Sequence, residues 1–161
     1  MRILFVCLGN ICRSPMAEFI LKDLVAKRGR SHDFFIASAG TSDEEEGNPV
    51  YPPVKRLLQR NGMDCSTKRA RKIVRSDYAE YDLIVGMETR NVETMRRFFG
   101  GDPNGKLLRL LDETDQPHDV ADPWYTRDFD LTYREIRLGC LSLLNRLSTD
   151  ADFDGKSTPQ R

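Results

Sequence analysis

A cysteine and an arginine stand six positions apart in the stretch CLGNICRSP, which starts at Cys7. A short apolar run precedes the cysteine, and a helix-like segment follows from Pro15. Between a strand and a helix start, a glycine-bearing loop directs its amides at one spot and can hold a phosphate dianion. Arg13 can close this cradle with two hydrogen bonds, and the same positive potential stabilises a thiolate at Cys7. The stretch predicts a cysteine nucleophile in a phosphate-sized loop; two core cysteines beside a turn are the alternative.

The same cysteine-to-arginine spacing recurs at Cys65 and Cys140, so spacing alone decides nothing. Cys140 falls on the apolar stripe of a predicted helix, which marks it as a core residue, and Cys65 lies in a basic segment with no preceding strand. Only Cys7 has the strand, loop and helix around it. No C-x-x-C pair occurs, which argues against zinc, so we expect neither a metal nor a cofactor.

Attack of a thiolate on phosphorus needs an acid that protonates the leaving oxygen. Asp122 is the candidate, because the sequence DPWY places proline, Trp124 and Tyr125 directly after it. The proline stiffens the loop, and the two aromatic side chains can form a wall beside a flat substrate. Without the cysteine loop the same four residues would be interpreted as an exposed acidic turn.

The elements that would position these residues alternate between apolar strands and amphipathic helices. Strands are predicted over residues 2–7, 33–39, 82–87 and 106–111, and helices over 15–27, 54–61, 89–99 and 131–147. The alternation indicates an α/β fold, and the expected form is a three-layer sandwich with a central, mainly parallel four-stranded sheet flanked by helices. We expect one domain over residues 1–147 and a disordered polar tail over 148–161. Long surface loops are expected over 40–53 and 112–128.

Composition argues against several classes of partner. Lys+Arg and Asp+Glu both number 25, so the formal net charge is zero and nothing draws the whole chain toward nucleic acid or an anionic membrane. The apolar segment over residues 1–7 is too short for a signal peptide, and no window approaches the roughly 18 apolar residues of a membrane helix. We expect a cytoplasmic monomer with reduced cysteines.

Four segments together, CLGNICRSP, SAGTS, GNP and DPWY, resemble the low-molecular-weight protein-tyrosine phosphatase family and occur in the same order. The resemblance covers about residues 2–147 and is most specific in the nine residues of the cysteine loop. It implies hydrolysis of phosphotyrosine in proteins, and of small aryl phosphates, through a phosphocysteine intermediate. The implied partners are phosphotyrosine proteins and a tyrosine kinase.

The resemblance also implies a role for each site residue. The catalytic residues would be the nucleophile Cys7, the phosphate clamp Arg13 and the general acid Asp122. The phosphate would bind to the loop residues Leu8, Gly9, Asn10, Ile11, Cys12 and Arg13, and the loop would be supported by Asn10, Ser14 and Ser38. The substrate cleft would be lined by Ile11, Glu44, Trp124 and Tyr125. Cys12 would trap an oxidised Cys7 as a disulfide, or else simply pack beneath the loop.

Three positions depart from the family pattern. Acids at residues 43–46 stand where many members have an aromatic cleft wall. Lys68 lies at or near the place of a histidine that supports the loop in many eukaryotic members, and Glu88 replaces an aspartate after the third strand.

Other activities stay open as alternatives. Protein-arginine phosphatases of the family tend to have threonine where this chain has Ile11. Arsenate-reductase relatives use further cysteines near the third strand, and residues 82–91 contain none. A phosphocysteine carrier would not need the DPWY acid, a phosphotyrosine-binding module would not need a thiolate, and no glycine-rich nucleotide motif follows any strand.

Overall fold

A sheet of four parallel strands lies at the centre of the fold. A computed structural model describes residues 1–154, with side chains up to residue 149. The strands are β1 (Arg2–Cys7), β2 (Phe35–Gly40), β3 (Leu83–Gly86) and β4 (Leu107–Arg109), in the order β2-β1-β3-β4. The α-helices are α1 (Arg13–Lys27), α2 (Pro52–Arg60), α3 (Asp77–Glu80), α4 (Thr89–Phe99), α5 (Pro123–Thr126) and α6 (Phe129–Asp154). The predicted α/β architecture is confirmed.

Strand β1 is central because its side chains enter two cores in alternation. Ile3 and Phe5 pack into a core that α1, α2 and α6 cover, whereas Leu4 and Val6 pack into a second core on the side of α4. A strand covered on both faces must be apolar throughout, which is why the sequence shows a continuous apolar run there. These two cores give the three layers of the sandwich.

Helix α1 begins two residues earlier than the sequence predicted, at Arg13 rather than at Pro15. The amide of Met16 donates to the Cys12 carbonyl, at 3.2 Å, and so closes the first turn. Proline is tolerated at this point because an amide in the first turn has no partner within the helix. Arg13 and Ser14 therefore belong to a rigid helical turn that directly follows the cysteine loop.

The C-terminal helix also runs further than predicted. Helix α6 continues past Leu147 to Asp154, so residues 148–154 are helical where the sequence predicted the start of a disordered tail. The hydroxyls of Ser148 and Thr149 donate to the carbonyls four residues earlier, and Arg30 donates to Ser148 at 3.0 Å. These bonds satisfy polar side chains that otherwise compete with helix formation. The remaining residues of the predicted tail, 155–161, lie outside the described residues.

The strand order creates a crevice at the carboxyl end of the sheet. Strand β2 lies on one side of β1 and β3 on the other, so the loops after β1 and β3 diverge. Ligands of open α/β sheets bind at such a switch point. Both the cysteine loop after β1 and the segment 112–128, which contains α5, reach this edge. Within residues 1–154, no helix combines the length and apolar character required to span a bilayer.

Candidate active site

Cys7 lies at the carboxyl end of β1 and is buried, with only 4% of its surface exposed. Its Sγ is 3.0 Å from the hydroxyl of Ser14, which stands in the first turn of α1. A hydroxyl can donate to a thiolate, so Ser14 can stabilise the ionised sulfur. The strand end and the helix start thus place the candidate nucleophile and a hydroxyl partner side by side.

Asn10 holds the cysteine loop in shape from behind. Its backbone is left-handed, with φ of 59°, a conformation that asparagine tolerates better than most residues. Its Nδ2 donates to the hydroxyls of Ser14, at 2.9 Å, and Ser38, at 3.0 Å, and its Oδ1 accepts from the Arg71 amide, at 3.0 Å. The side chain of Asn10 is therefore part of the support and points away from the cleft.

The SAGTS segment, residues 38–42, supports the same loop through its backbone. The amides of Thr41 and Ser42 donate to the carbonyls of Cys7 and Leu8, at 2.9 Å and 3.0 Å. A Cβ atom at Gly40 would lie 2.7 Å from the Leu8 carbonyl oxygen, which is too close for any side chain. The glycine of this motif is thus required by the close approach of two backbones.

Three acceptors fix the guanidinium of Arg13, which is 3% exposed. It donates to Glu88 Oε2 at 3.2 Å, to the Val120 carbonyl at 3.1 Å and to Asp122 Oδ2 at 3.3 Å. Burial opposes the charge, but the Cys7 sulfur, Glu88 and Asp122 together raise the pKa of Arg13 above its ordinary value. A permanently charged, oriented fork beside Cys7 suits a phosphoryl group.

Glu88 is held by helix α4 as well as by Arg13. Its carboxylate accepts from the Asn91 backbone, and the Asn91 side chain accepts from the amide of Glu88, at 3.1 Å, which forms a reciprocal helix cap. The acid after the third strand thus links the start of α4 to the phosphate clamp.

Asp122 reaches the same place from the DPWY loop. Its Oδ1 accepts from the Trp124 amide at 3.0 Å and so caps α5, while its Oδ2 faces Arg13. The carboxyl side chain is 27% exposed, so it can exchange protons with solvent. An acid at the mouth of the cleft and a nucleophile at its base are the arrangement that general-acid-assisted displacement needs.

These residues line one cavity of about 250 Å³. Cys7, Arg13 and Asp122 share it with all four residues predicted to form the substrate cleft, namely Ile11, Glu44, Trp124 and Tyr125. Leu8, Gly9 and Cys12 also line it, whereas Asn10 does not. At the rim, Tyr125 is 82% exposed and Trp124 is 52% exposed, and the Trp124 ring packs against Tyr51 at 5.8 Å between centroids.

A buried carboxylate that the sequence interpretation missed extends the support of the loop. Glu18, 4% exposed, accepts from the hydroxyl of Ser38 and from Lys22 Nζ, both at 2.6 Å. Lys68 Nζ lies 3.6 Å from Glu18 and donates to the Ser38 carbonyl at 2.8 Å, and its burial lowers the pKa of the ammonium. Lys68 was expected near the support of the loop, but the only sequence signal for Glu18 is its i,i+4 spacing to Lys22. A second cavity of about 450 Å³ adjoins it.

A phosphate-sized loop with a buried cysteine, a fixed arginine and an acid at the mouth defines a thiol-dependent phosphatase site. The sequence model of the low molecular weight phosphotyrosine protein phosphatases matches residues 2–152, and the chain belongs to this family.

Individual relatives share most of their length with the chain. The low molecular weight protein-tyrosine-phosphatase YfkJ of Bacillus subtilis is 39% identical over 144 residues, which cover 88% of this chain and 92% of the relative. The crystal structure of YfkJ superposes with a TM-score of 0.89 over 93% of this chain and 96% of that one. A Drosophila arginine phosphatase superposes with a TM-score of 0.82 at 30% identity, over 91% of this chain and 98% of that one.

Asn10→Ala is expected to lower the free energy of unfolding by about 3 kcal/mol, since it removes buried hydrogen bonds and replaces asparagine by a residue that tolerates the left-handed backbone less well. Asn10→Gly should lose about 1 kcal/mol less, because glycine adopts positive φ without strain. Urea denaturation of both variants measures the two contributions. Wild-type stability in both variants would contradict the supporting role of Asn10.

Proposed function

We propose that this phosphatase cleaves phosphotyrosine in proteins, and small aryl phosphates, through a phosphocysteine intermediate on Cys7. The observation that carries the proposal is the convergence of Cys7, Arg13 and Asp122 on one cavity. The side chains that would act as nucleophile, phosphate clamp and proton donor line it together.

In the first half-reaction the Cys7 thiolate attacks phosphorus and the bond from phosphorus to the phenolic oxygen breaks. Protonated Asp122 gives its proton to that oxygen, so the phenol leaves neutral. The loop amides and Arg13 hold the phosphoryl oxygens, whose charge is spread over three atoms in the transition state. The Ser14 hydroxyl, 3.0 Å from the Cys7 sulfur, can donate a hydrogen bond to the thiolate.

In the second half-reaction water attacks the thiophosphate. The Asp122 carboxylate takes a proton from the water, a phosphorus–oxygen bond forms, and the sulfur–phosphorus bond breaks to return Cys7 as a thiolate. Inorganic phosphate leaves, and Asp122 is again protonated for the next cycle. One carboxyl group therefore serves both steps.

The cleft favours an aryl phosphate over the alternatives. Ile11 presents an apolar surface in the cleft, and the aromatic rim of Trp124 and Tyr125 suits a flat phenol ring. Of the four cysteines, only Cys7 and Cys12 line the cavity, whereas Cys65 and Cys140 are buried elsewhere. This distribution does not favour an arsenate reductase, which needs further resolving thiols.

We expect kcat/KM to be highest for phosphotyrosine when matched peptides carrying phosphotyrosine, phosphoarginine or phosphoserine are compared. A phosphoserine is too short to bring its phosphorus to Cys7 at the base of the cleft. Phosphate release from the three peptides under identical conditions measures this. A higher value for phosphoarginine would replace the proposed substrate with that of the arginine phosphatases.

The acidic loop, residues 43–46, should add a weak preference for peptides with basic residues beside the phosphotyrosine. Glu44 and Glu45 line the cleft, so a basic residue beside the phosphotyrosine meets opposite charge. Exposed pairs contribute little, so we expect about a twofold to fivefold gain at low salt that fades at moderate salt. Glu44→Gln should reduce it, while Glu93→Gln on α4 should not. Preference for acidic flanks at low salt would remove any role of this loop.

We further propose that Cys12 protects the nucleophile from irreversible oxidation. Peroxide converts the Cys7 thiolate to a sulfenic acid with loss of hydroxide, and the Cys12 sulfur then displaces water to form a disulfide that an added dithiol reduces. Cys12 lines the same cavity as Cys7. Burial, followed by the nearby Cys7 and Asp122, raises the pKa of Cys12 to about 12, so it is a thiol at neutral pH.

Peroxide inactivation of the wild type should therefore be reversed by a dithiol, whereas Cys12→Ser should keep most of its turnover and become irreversibly inactivated faster. Peptide mapping after mild oxidation should find a link between Cys7 and Cys12. Absence of the link, together with equal irreversible loss in both proteins, would refute protection.

A cytoplasmic location is part of the proposal. All four cysteines are free thiols, which a reducing compartment maintains. The proposed partners are phosphotyrosine proteins, including a tyrosine kinase as a substrate.

A further inference from the structure

The peptide that precedes the general acid is held from helix α6 by two side chains. The Ala121 amide donates to Glu135 Oε1 at 2.9 Å, and the Ala121 carbonyl accepts from the hydroxyl of Thr132, also at 2.9 Å. Thr132 and Glu135 are three residues apart and so lie on one face of the helix. Thr132 is fully buried, and the Glu135 side chain is only 15% exposed. We propose that Thr132 and Glu135 are positioning residues that aim the Asp122 carboxyl at the leaving oxygen, which rests on the proposed function of Asp122.

The hydrogen bonds of Asp122 itself do not fix the direction of its carboxyl group on their own. Its carboxylate accepts from the Trp124 amide at 3.0 Å, but that amide belongs to the same loop and moves with it, so the 3.3 Å contact with Arg13 is the bond that ties the carboxylate to the rest of the site. The two hydrogen bonds of the Ala121 backbone fix the loop to α6. This helix packs along α1, which starts beside Cys7. Neither Thr132 nor Glu135 lines the cavity, so neither touches substrate.

His118 orients Glu135 for this task. Its Nδ1 lies 2.6 Å from the Gln116 carbonyl, and its Nε2 forms a hydrogen bond with Glu135 Oε2. The carbonyl and the carboxylate only accept, so both ring nitrogens donate when the ring is a cation, and these two partners raise the pKa of His118. With Oε2 engaged by His118, the other oxygen of Glu135 faces the Ala121 amide.

The flanking residues of the loop are also tied, but to the other side of the site. Asp119 accepts from the Thr89 amide at 2.8 Å and from Arg109 at 2.9 Å, and the Val120 amide donates to the Met87 carbonyl at 2.9 Å. The loop that carries Asp122 is thus hydrogen-bonded near the start of α4 on one side and to α6 on the other. Loss of one anchor would allow the loop to tilt, which displaces a proton donor from its acceptor.

A displacement of about 1 Å can cost on the order of 10²-fold in rate, and here the loss should fall only on the step that needs the proton. Thr132→Val and Glu135→Leu should therefore lower kcat/KM about 10- to 100-fold for an aryl phosphate with a poor leaving group. A phenol that leaves readily as its anion needs little proton transfer, so its rate should change about twofold or less. Inhibition by inorganic phosphate should be unchanged, because the cradle is intact.

Conservative variants separate positioning from general damage. Thr132→Ser keeps the hydroxyl and Glu135→Gln keeps an oxygen acceptor, so both should restore most of the rate with the poor leaving group. Thr149→Val is the control on the same helix: its hydroxyl donates to the Asn145 carbonyl within α6, so this variant should match the wild type. In an Asp122→Asn background, Thr132→Val should cause no further loss, since the two changes act through one group.

Hydrogen exchange of the Ala121 amide reports on the anchor without any assay of turnover. Exchange should be faster in Glu135→Leu than in Glu135→Gln and the wild type. Unchanged exchange, equal loss with both leaving groups, or an additive loss in the Asp122→Asn background would each overturn the positioning role. A wild type without phosphatase activity would instead refute the proposed function, and the exchange result would still decide whether the anchor exists.

Discussion

Cys7→Ser is expected to lower kcat for a small aryl phosphate by at least about 10⁴-fold, the scale seen when a covalent nucleophile is removed. The serine hydroxyl is not ionised at neutral pH, so it cannot replace the thiolate. The loop amides and Arg13 are untouched, so inhibition by inorganic phosphate should persist. Steady-state kinetics together with phosphate titration of the variant measures both expectations.

Variants of Arg13 provide the matched comparison. Arg13→Ala should lose both turnover and phosphate affinity, because the clamp is removed and Glu88 and Asp122 lose their shared cation. Arg13→Lys keeps the charge but lacks the planar fork, so it should restore little. Substantial wild-type activity in Cys7→Ser would end the phosphocysteine hypothesis.

Asp122→Asn is expected to cut kcat/KM by about 10²- to 10⁴-fold for phenols that leave poorly and far less for those that leave well. Asparagine keeps the side-chain oxygen that accepts from the Trp124 amide, so the cap of α5 should survive. The slope of log kcat/KM against the pKa of the leaving phenol should therefore become steeper than in the wild type.

A uniform loss across the phenol series would disprove the role of Asp122 as general acid. Glu88→Gln is the control, since Glu88 also contacts Arg13 but is held at the start of α4 by its own cap. Its effect should fall on phosphate affinity and be the same for every leaving group.

Those candidate site residues that lie together in one local segment were predicted from the sequence. Cys7, the loop and Arg13 are contiguous, and the strand before them and the helix after them are set by local apolar patterns. Asp122 was predicted from the proline and the two aromatic residues that mark its loop. The structure brings all three to one cavity, as the interpretation required.

Asn10, Ser14 and Ser38 were predicted as supports of the loop, but three further residues that hold the site in place could not be predicted in the same way. Glu18, Thr132 and Glu135 lie on helices whose visible pattern is apolar, and a buried polar side chain on such a helix has no signature apart from its partner. Those partners, Ser38 and the Ala121 peptide, are distant in sequence or belong to the backbone. Pairing of this kind depends on tertiary contacts.

The contacts of His118 could not be predicted from the sequence either. Its ring is half exposed, and it belongs to none of the sequence motifs that resemble the family. Its contacts with Gln116 and Glu135 arise only because the loop folds back onto α6. The early start of α1 at Arg13 is a smaller case, since the loop and the first helical turn differ only in backbone conformation.

Rapid quenching during turnover of an aryl phosphate with a good leaving group tests the phosphocysteine intermediate most directly. Acid-quenched Asp122→Asn, in which hydrolysis of the intermediate is slowed, should carry one phosphoryl group on the peptide that contains Cys7, as mass spectrometry of the digest would show. The Cys7→Ser variant should carry none. A phosphoryl group on another residue, or rapid turnover with no labelled peptide at any quench time, would contradict the intermediate.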